Sequence, residues 1–314
     1  MDGDFLIIAV GQTASKITLD ITNNRNIDYL LINQKKDIPS NSNSIVIDNQ
    51  SWVNPNPYKV REMFNEKIEQ IKKHLDKYSN ILVIGNLASK FGIAVIPKLT
   101  SLIKSENKKL ISIVIMPFEF EKNKIYQSGI SLNFVSNYSN TTIIMDNQSF
   151  LRNNPNLTLL DCYKITNNAI KDITINSIEQ EFPDNDSFIA TSKGSENIED
   201  VFIDSFSMLI DNSSTGIEKT FVYICPGKEK IDKIDNIIRT YEKISKSNDN
   251  DINLISQNSK ISNIHFLVKT KKISILSYDP LHTLIDQNNL LDFEPETNKE
   301  IKELSHLRDI ESLL

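Results

Sequence analysis

Short apolar runs alternate with segments of helical hydrophobic spacing through the first half of this chain, and that alternation limits the available folds more than any other feature. Phe5–Val10, Tyr29–Ile32, Ser44–Ile47, Ile81–Ile84, Leu110–Met116 and Thr141–Met145 read as strands. Between them, helices are expected from near Ala14, over Tyr58–Lys77, Ala94–Ile103 and Tyr126–Val135. In the second of these, Val60, Met63, Phe64, Ile68, Ile71 and Leu75 recur at helical spacing behind a first-turn proline, Pro57. Parallel neighbours need a crossover, and the crossover is usually a helix, so the expected fold is α/β with a doubly wound, mostly parallel sheet.

The pattern changes after residue 160. A long helix is expected from Asp161 towards Ile178, and Phe182-Pro183-Asp184-Asn185-Asp186 then breaks it. Beyond lie a helix (Glu196–Ile210), a strand (Lys219–Cys225), a helix (Glu229–Tyr241) and strands at Ile252–Ile255, Asn263–Val268 and Ile273–Ser277. The expected organisation is a larger domain over 1–160, a central helix and acidic loop over 161–185, a smaller α/β domain over 186–278, and a linker with an amphipathic helix over 279–314.

Charge and composition exclude several classes. A formal net charge of −6 supplies no basic field for a nucleic-acid backbone. The apolar run Leu110–Met116 is far shorter than the roughly 20 residues that span a bilayer, and the acidic start Met1-Asp2-Gly3-Asp4 does not resemble a secretory signal. Direct membrane insertion is not expected, and a cytoplasmic location is. Cys162 and Cys225 are too few and too separated for a disulfide framework and read as packing residues in a reducing compartment. His74, His265, His282 and His306 have no second ligand at metal spacing, so no metal site is expected. No GxSxG elbow is present. Only 8 glycines occur, where average usage of about 7% would supply about twenty in a chain this long.

In an open α/β sheet the ligand lies at the carboxyl ends of the strands, where backbone N–H groups and helix amino termini can hold phosphate. Three segments occupy such positions: Gly11-Gln12-Thr13-Ala14-Ser15-Lys16-Ile17, the loop Asn49–Pro57, and Gly85 to Pro97, which contains Ala88-Ser89-Lys90-Phe91-Gly92-Ile93-Ala94. The next strand ends in Met116-Pro117-Phe118-Glu119-Phe120-Glu121.

Together these segments resemble the FtsZ/CetZ/tubulin superfamily. In its FtsZ and CetZ branches a strand feeds a GGGTGTG loop and a helix ending in proline, and the following strand ends in PFxFE. Pro117, Phe118, Phe120 and Glu121 match the second motif, Pro97 matches the proline, and Gly11-Gln12 with Lys16-Ile17 resembles a CetZ-type GQAGGKI. Asp146-Asn147-Gln148 falls where the family has PND or DND, Asp161–Asn168 resembles the start of its central helix, and Phe221–Lys228 resembles a strand and turn of its second domain. The resemblance covers most of residues 5–277.

This likeness implies a tubulin/FtsZ-like fold, GTP or GDP as ligand, and filament formation by self-association or with a related FtsZ-like subunit. It further implies a cytoskeletal or division role of archaeal type. It places Gly11, Gln12, Ser15, Ser89 and Gly92 at the phosphates, Glu121 at the ribose, and Asn147 and Asn167 at the guanine edge. An amide suits that edge because it offers both a donor and an acceptor. Glu181 and Asp184, in Glu179-Gln180-Glu181-Phe182-Pro183-Asp184, resemble the family's acidic NxDFADV loop, which acts on the nucleotide of the next subunit. The stretch between Asn167 and Phe188 is shorter than the family's, so either the central helix or the helix after the loop has been cut. Ile301, Leu304, Leu307, Ile310 and Leu314 resemble a docking stripe for a membrane-anchor or adaptor protein, or pack onto the body.

Departures from the family pattern are as informative. Gly92 alone survives of the GGGTGTG glycines, Phe91 stands where a small hydroxyl is expected, and Asn54-Pro55-Asn56-Pro57 lacks glycine and two N–H donors. The expectation is weak nucleotide binding at most and little or no GTP hydrolysis. A nucleotide site rebuilt around side-chain donors such as Ser89 and Lys90 is the alternative, and an unrelated dinucleotide-using α/β enzyme, which lacks its GxGxxG here, is a third.

Overall fold

The computed structural model describes residues 5–23, 25–34, 42–47, 57–212, 217–245, 250–255, 259–270 and Tyr278. The loop Asn49–Pro57, apart from Pro57, the strand expected at Ile273–Ser277, His282, His306 and the expected carboxyl-terminal helix fall outside these residues.

Strands β1 (Phe5–Val10), β2 (Asp28–Asn33), β3 (Ser44–Val46), β4 (Asn80–Asn86), β5 (Lys109–Met116) and β6 (Thr141–Asp146) form the parallel part of one sheet, in the order β3-β2-β1-β4-β5-β6. Apolar residues on both strand faces make this sheet two-sided. Ile7 and Ala9 of β1 join one buried cluster while Leu6, Ile8 and Val10 join the other, and β4 divides Leu82 and Ile84 from Ile81 and Val83 in the same way. Helices α2 (Pro57–Asn65), α3 (Ile68–Leu75), α4 (Lys90–Ser105) and α5 (Lys122–Tyr138) cover one face. Helix α1 (Gln12–Thr22) and the long α7 (Leu159–Glu179) pack against each other on the other face. The doubly wound expectation holds.

The second half continues the same sheet. β7 (Ser187–Thr191) pairs parallel to β6 and antiparallel to β10 (Asn263–Thr270), which pairs with β8 (Ile217–Cys225), and β9 (Asn250–Leu254) closes the edge. Helices α8 (Ile198–Asn212) and α9 (Ile231–Ser245) complete this mixed unit.

Four local expectations change. The single helix over Tyr58–Lys77 is two, because Lys67 sits at φ −101°, ψ −2° and its amide bonds the Phe64 carbonyl, turning the chain between α2 and α3. The helix expected over Ala94–Ile103 is longer, α4 running from Lys90 to Ser105 with Pro97 inside it. A short helix, α6 (Asn147–Asn153), follows β6 because Asp146 Oδ1 accepts from the Gln148 and Ser149 amides, at 2.8 and 3.2 Å. Five-residue β7 carried no alternation visible in the sequence. α7 runs for 21 residues, and no helix stands between Gln180 and Asp186 before β7 begins.

Candidate functional site

The carboxyl ends of β1, β4, β5 and β6 lie side by side, and each passes into one of the segments singled out in the sequence. At β1, Gly11 takes φ +86°, a conformation side-chain-bearing residues rarely adopt, and its amide bonds the Ile32 carbonyl of β2. Ser15 is buried and turned inwards, donating to the Gly11 carbonyl at 2.9 Å and accepting from Asn33 at 3.4 Å. Gln12 is exposed. No side chain caps α1, so its first-turn amides keep their capacity for an anion. The Phe91 ring lies near this turn, 3.8 Å from where a Cβ on Gly11 would sit.

At β4 the α4 turn is closed on itself. Asn86 Oδ1 accepts from the Ala88 amide at 2.8 Å, the Asn86 carbonyl accepts from both the Ser89 amide and hydroxyl, and Ser89 Oγ accepts from the Gly92 amide at 2.9 Å. The Lys90 and Phe91 amides remain as this turn's open donors among the described residues. Gly92 is required by closeness of backbone, since a Cβ there would meet the Asn86 carbonyl oxygen at 2.0 Å. Ser89 and Gly92 therefore build the helix cap, and the resemblance had placed them at a phosphate.

At β5 the Pro117–Glu121 turn buries Phe118 and exposes Phe120, with the two rings stacked at 5.1 Å. Tyr163 of α7 meets Phe118 edge-on at 5.6 Å. Burial, with the nearby Glu121 charge adding to it, pushes the Tyr163 hydroxyl up from its ordinary value. Glu121 is occupied: Oε2 accepts from the Phe118 amide at 3.1 Å and Oε1 pairs with Lys124 at 2.6 Å. Gln148 joins the two motif segments by accepting from the Glu119 amide at 2.9 Å, and Arg152 pairs with Glu119.

At β6, Asn147 is wholly buried, and neither its oxygen nor its nitrogen has a hydrogen-bond partner. Asn167, one helical turn beyond Tyr163 on α7, is half-buried with an unpartnered Oδ1. Beside Asn147, Asp146 uses its second oxygen to accept from Tyr278 at 2.7 Å, and burial pushes its carboxyl above the ordinary range. Tyr278 was not singled out in the sequence, and no motif contains it.

The expected catalytic acids lie away from these loops. Glu181 and Asp184 follow the carboxyl end of α7. Lys269 of β10 hydrogen-bonds Asp184 at 2.6 Å and lowers its pKa. The rest of the loop is tied to the sheet: Thr141 donates to the Pro183 carbonyl at 2.7 Å, and Asp186 accepts from Ser136 and from the Thr142 amide, each at 3.0 Å.

Residues 11–155 match the model of the Tubulin/FtsZ family GTPase domain. The structure is similar to an empty FtsZ dimer from M. jannaschii (12% identity, 86% of this chain and 88% of that one, TM-score 0.66). It is also similar to CetZ from Methanosaeta thermophila (16%, 99% and 100%, 0.64) and to a GTPγS-bound CetZ2 protofilament from Haloferax volcanii (16%, 88% and 96%, 0.61). None of the curated proteins searched matches the sequence. The family model thus covers the first half of the chain, and the fold as a whole is that of FtsZ and CetZ. No helix among the described residues is long and apolar enough to cross a membrane.

Proposed function

We propose that this protein is a filament-class relative with a retired GTPase switch, acting structurally or as a regulator of a filament. The observation that supports this reading is the closed α4 turn, where Asn86 and Ser89 already satisfy three of the amides a phosphate would need. The position of Phe91 near the Gly11 turn and the internal pairing of Glu121 and Asp184 point the same way. A nucleotide held by such a site binds weakly through its nucleoside, and GDP and GTP bind nearly equally because no N–H nest awaits the γ-phosphate. Without that discrimination a nucleotide cannot shift an assembly equilibrium. Self-association, which the FtsZ dimer and the CetZ2 protofilament display, is then independent of GTP.

The uncapped amides of α1 favour a second reading, a GTP-dependent polymer former with a rebuilt phosphate site. Calorimetry with guanosine, GDP and GTP, run beside phosphate release and light scattering, separates the two. Phosphate release at the buffer blank, GDP and GTP affinities within about threefold, and scattering indifferent to GTP are the expected results. Tight GTP-selective binding, or assembly that appears with GTP and reverses as it is consumed, would sink the first reading.

A further inference from the structure

Three residues that the sequence scatters come together where α7 crosses the second half of the sheet. Asp172 of α7, Cys225 of β8 and His265 of β10 place one carboxylate oxygen, one sulfur and one imidazole nitrogen within 4.8 Å of one another. Cys225 is fully buried, His265 is 2% exposed and Asp172 9% exposed. Read from sequence spacing, Cys225 was a packing residue and His265 an isolated histidine.

Thr191 Oγ1 and His265 Nδ1 are hydrogen-bonded at 2.8 Å. With Nδ1 as the donor in that bond, the lone pair is on Nε2. Nε2 is buried without a hydrogen-bond partner and faces Asp172 Oδ2 at 3.5 Å. An imidazole nitrogen, a carboxylate oxygen and a sulfur thus converge on one small volume. Lys171 approaches the other Asp172 oxygen, Oδ1, at 3.8 Å.

We propose that Asp172, Cys225 and His265 bind a divalent transition-metal ion of zinc's character. Mixed imidazole, thiolate and carboxylate donors suit a borderline ion. A tetrahedral ion bound at about 2.0–2.3 Å sets its ligand atoms about 3.3–3.8 Å apart, which small side-chain turns reach from the observed spacing. The Thr191 contact is the outer hydrogen bond that a metal-ligating histidine ordinarily makes through its other nitrogen. Asp172 and His265 also line a cleft of about 590 Å³ between α7 and the sheet, from which water supplies the fourth ligand. Because its ligands come from the central helix and two strands, the ion would pin α7 to the second half of the sheet. This site is remote from the candidate nucleotide loops, and the inference stands whether or not nucleotide binds.

Full-length protein stripped with a chelator is titrated with ZnCl2 by calorimetry and with CoCl2 by absorption. One equivalent is expected, with a cobalt–sulfur charge-transfer band that Cys225→Ser removes. Thr191→Val, which leaves all three ligands in place, should weaken zinc about tenfold to a hundredfold. If Cys225→Ser does not fold by circular dichroism, the Thr191→Val titration decides. Binding far below one equivalent, a sulfur band that survives Cys225→Ser, or zinc affinity unchanged in Thr191→Val would overturn the proposal.

Discussion

The phosphate half and the base half of the candidate nucleotide site are closed in opposite ways. At the α4 turn, closure satisfies the backbone: Asn86 and Ser89 accept from the Ala88, Ser89 and Gly92 amides, so an arriving phosphate would displace good hydrogen bonds. At the base half, closure leaves Asn147 Oδ1, Asn147 Nδ2 and Asn167 Oδ1 without partners. Each such orphan costs about 1–3 kcal/mol, which a ligand able to reach and pair it would recover. The contrast teaches that losing glycines does not merely empty a phosphate cradle. New side-chain acceptors can fill it, whereas a buried amide with no partner stays unsatisfied.

The largest expected effect tests the base half. Asn147→Leu keeps the branched shape while removing two orphaned polar atoms, so thermal melting should report a gain of about 1–3 kcal/mol. The same variant should lose guanosine affinity about tenfold to a hundredfold by calorimetry. A destabilised variant would mean that Asn147 is already satisfied, and the comparison would break.

Next comes the phosphate half. Phe91→Thr removes the ring near the uncapped amides of α1, and GDP affinity relative to guanosine should rise about threefold to tenfold, the size expected when a helix amino terminus meets an anion. No change in that ratio would show that Phe91 does not guard the turn.

Ser89→Ala should cost about 1 kcal/mol in a denaturant titration, the usual value of an N-cap. A neutral result would remove the claim that this turn is stabilised by its own closure.

The smallest effect comes from a buried carboxylate outside the site, an outside standard for satisfied closure. Burial raises the Asp186 pKa above its ordinary 3.8, against the lowering influence of Ser136 and Thr142. The folded state therefore holds this proton more tightly than the unfolded chain, and the group's contribution to stability falls as pH rises from the unfolded pKa through the folded one. Asp186→Asn can still accept from the Thr142 amide, so its urea midpoint should lose that downward slope. A slope equal to the wild type's would assign the pH dependence elsewhere.

The sequence by itself determined the strand and helix alternation, the doubly wound sheet and the resemblance of residues 11–155 to the Tubulin/FtsZ GTPase domain, because these depend on the period of apolar residues and on contiguous motifs such as Pro117–Glu121. It also exposed the missing glycines, since the absence of a residue type needs no coordinates. Only the tertiary structure decided what replaced them: the Asn86 side chain, part of no family motif, takes the Ala88 amide, and Glu121, correctly matched to its motif, is tied to Phe118 and Lys124. Tyr278 on Asp146, the continuity of the sheet through β7, and the meeting of Asp172, Cys225 and His265 were equally hidden. The physical reason is common to all of them. Hydrogen bonds and ligand clusters act over about 3–5 Å in space and carry no fixed spacing along the chain, whereas helix and strand periods are written residue by residue.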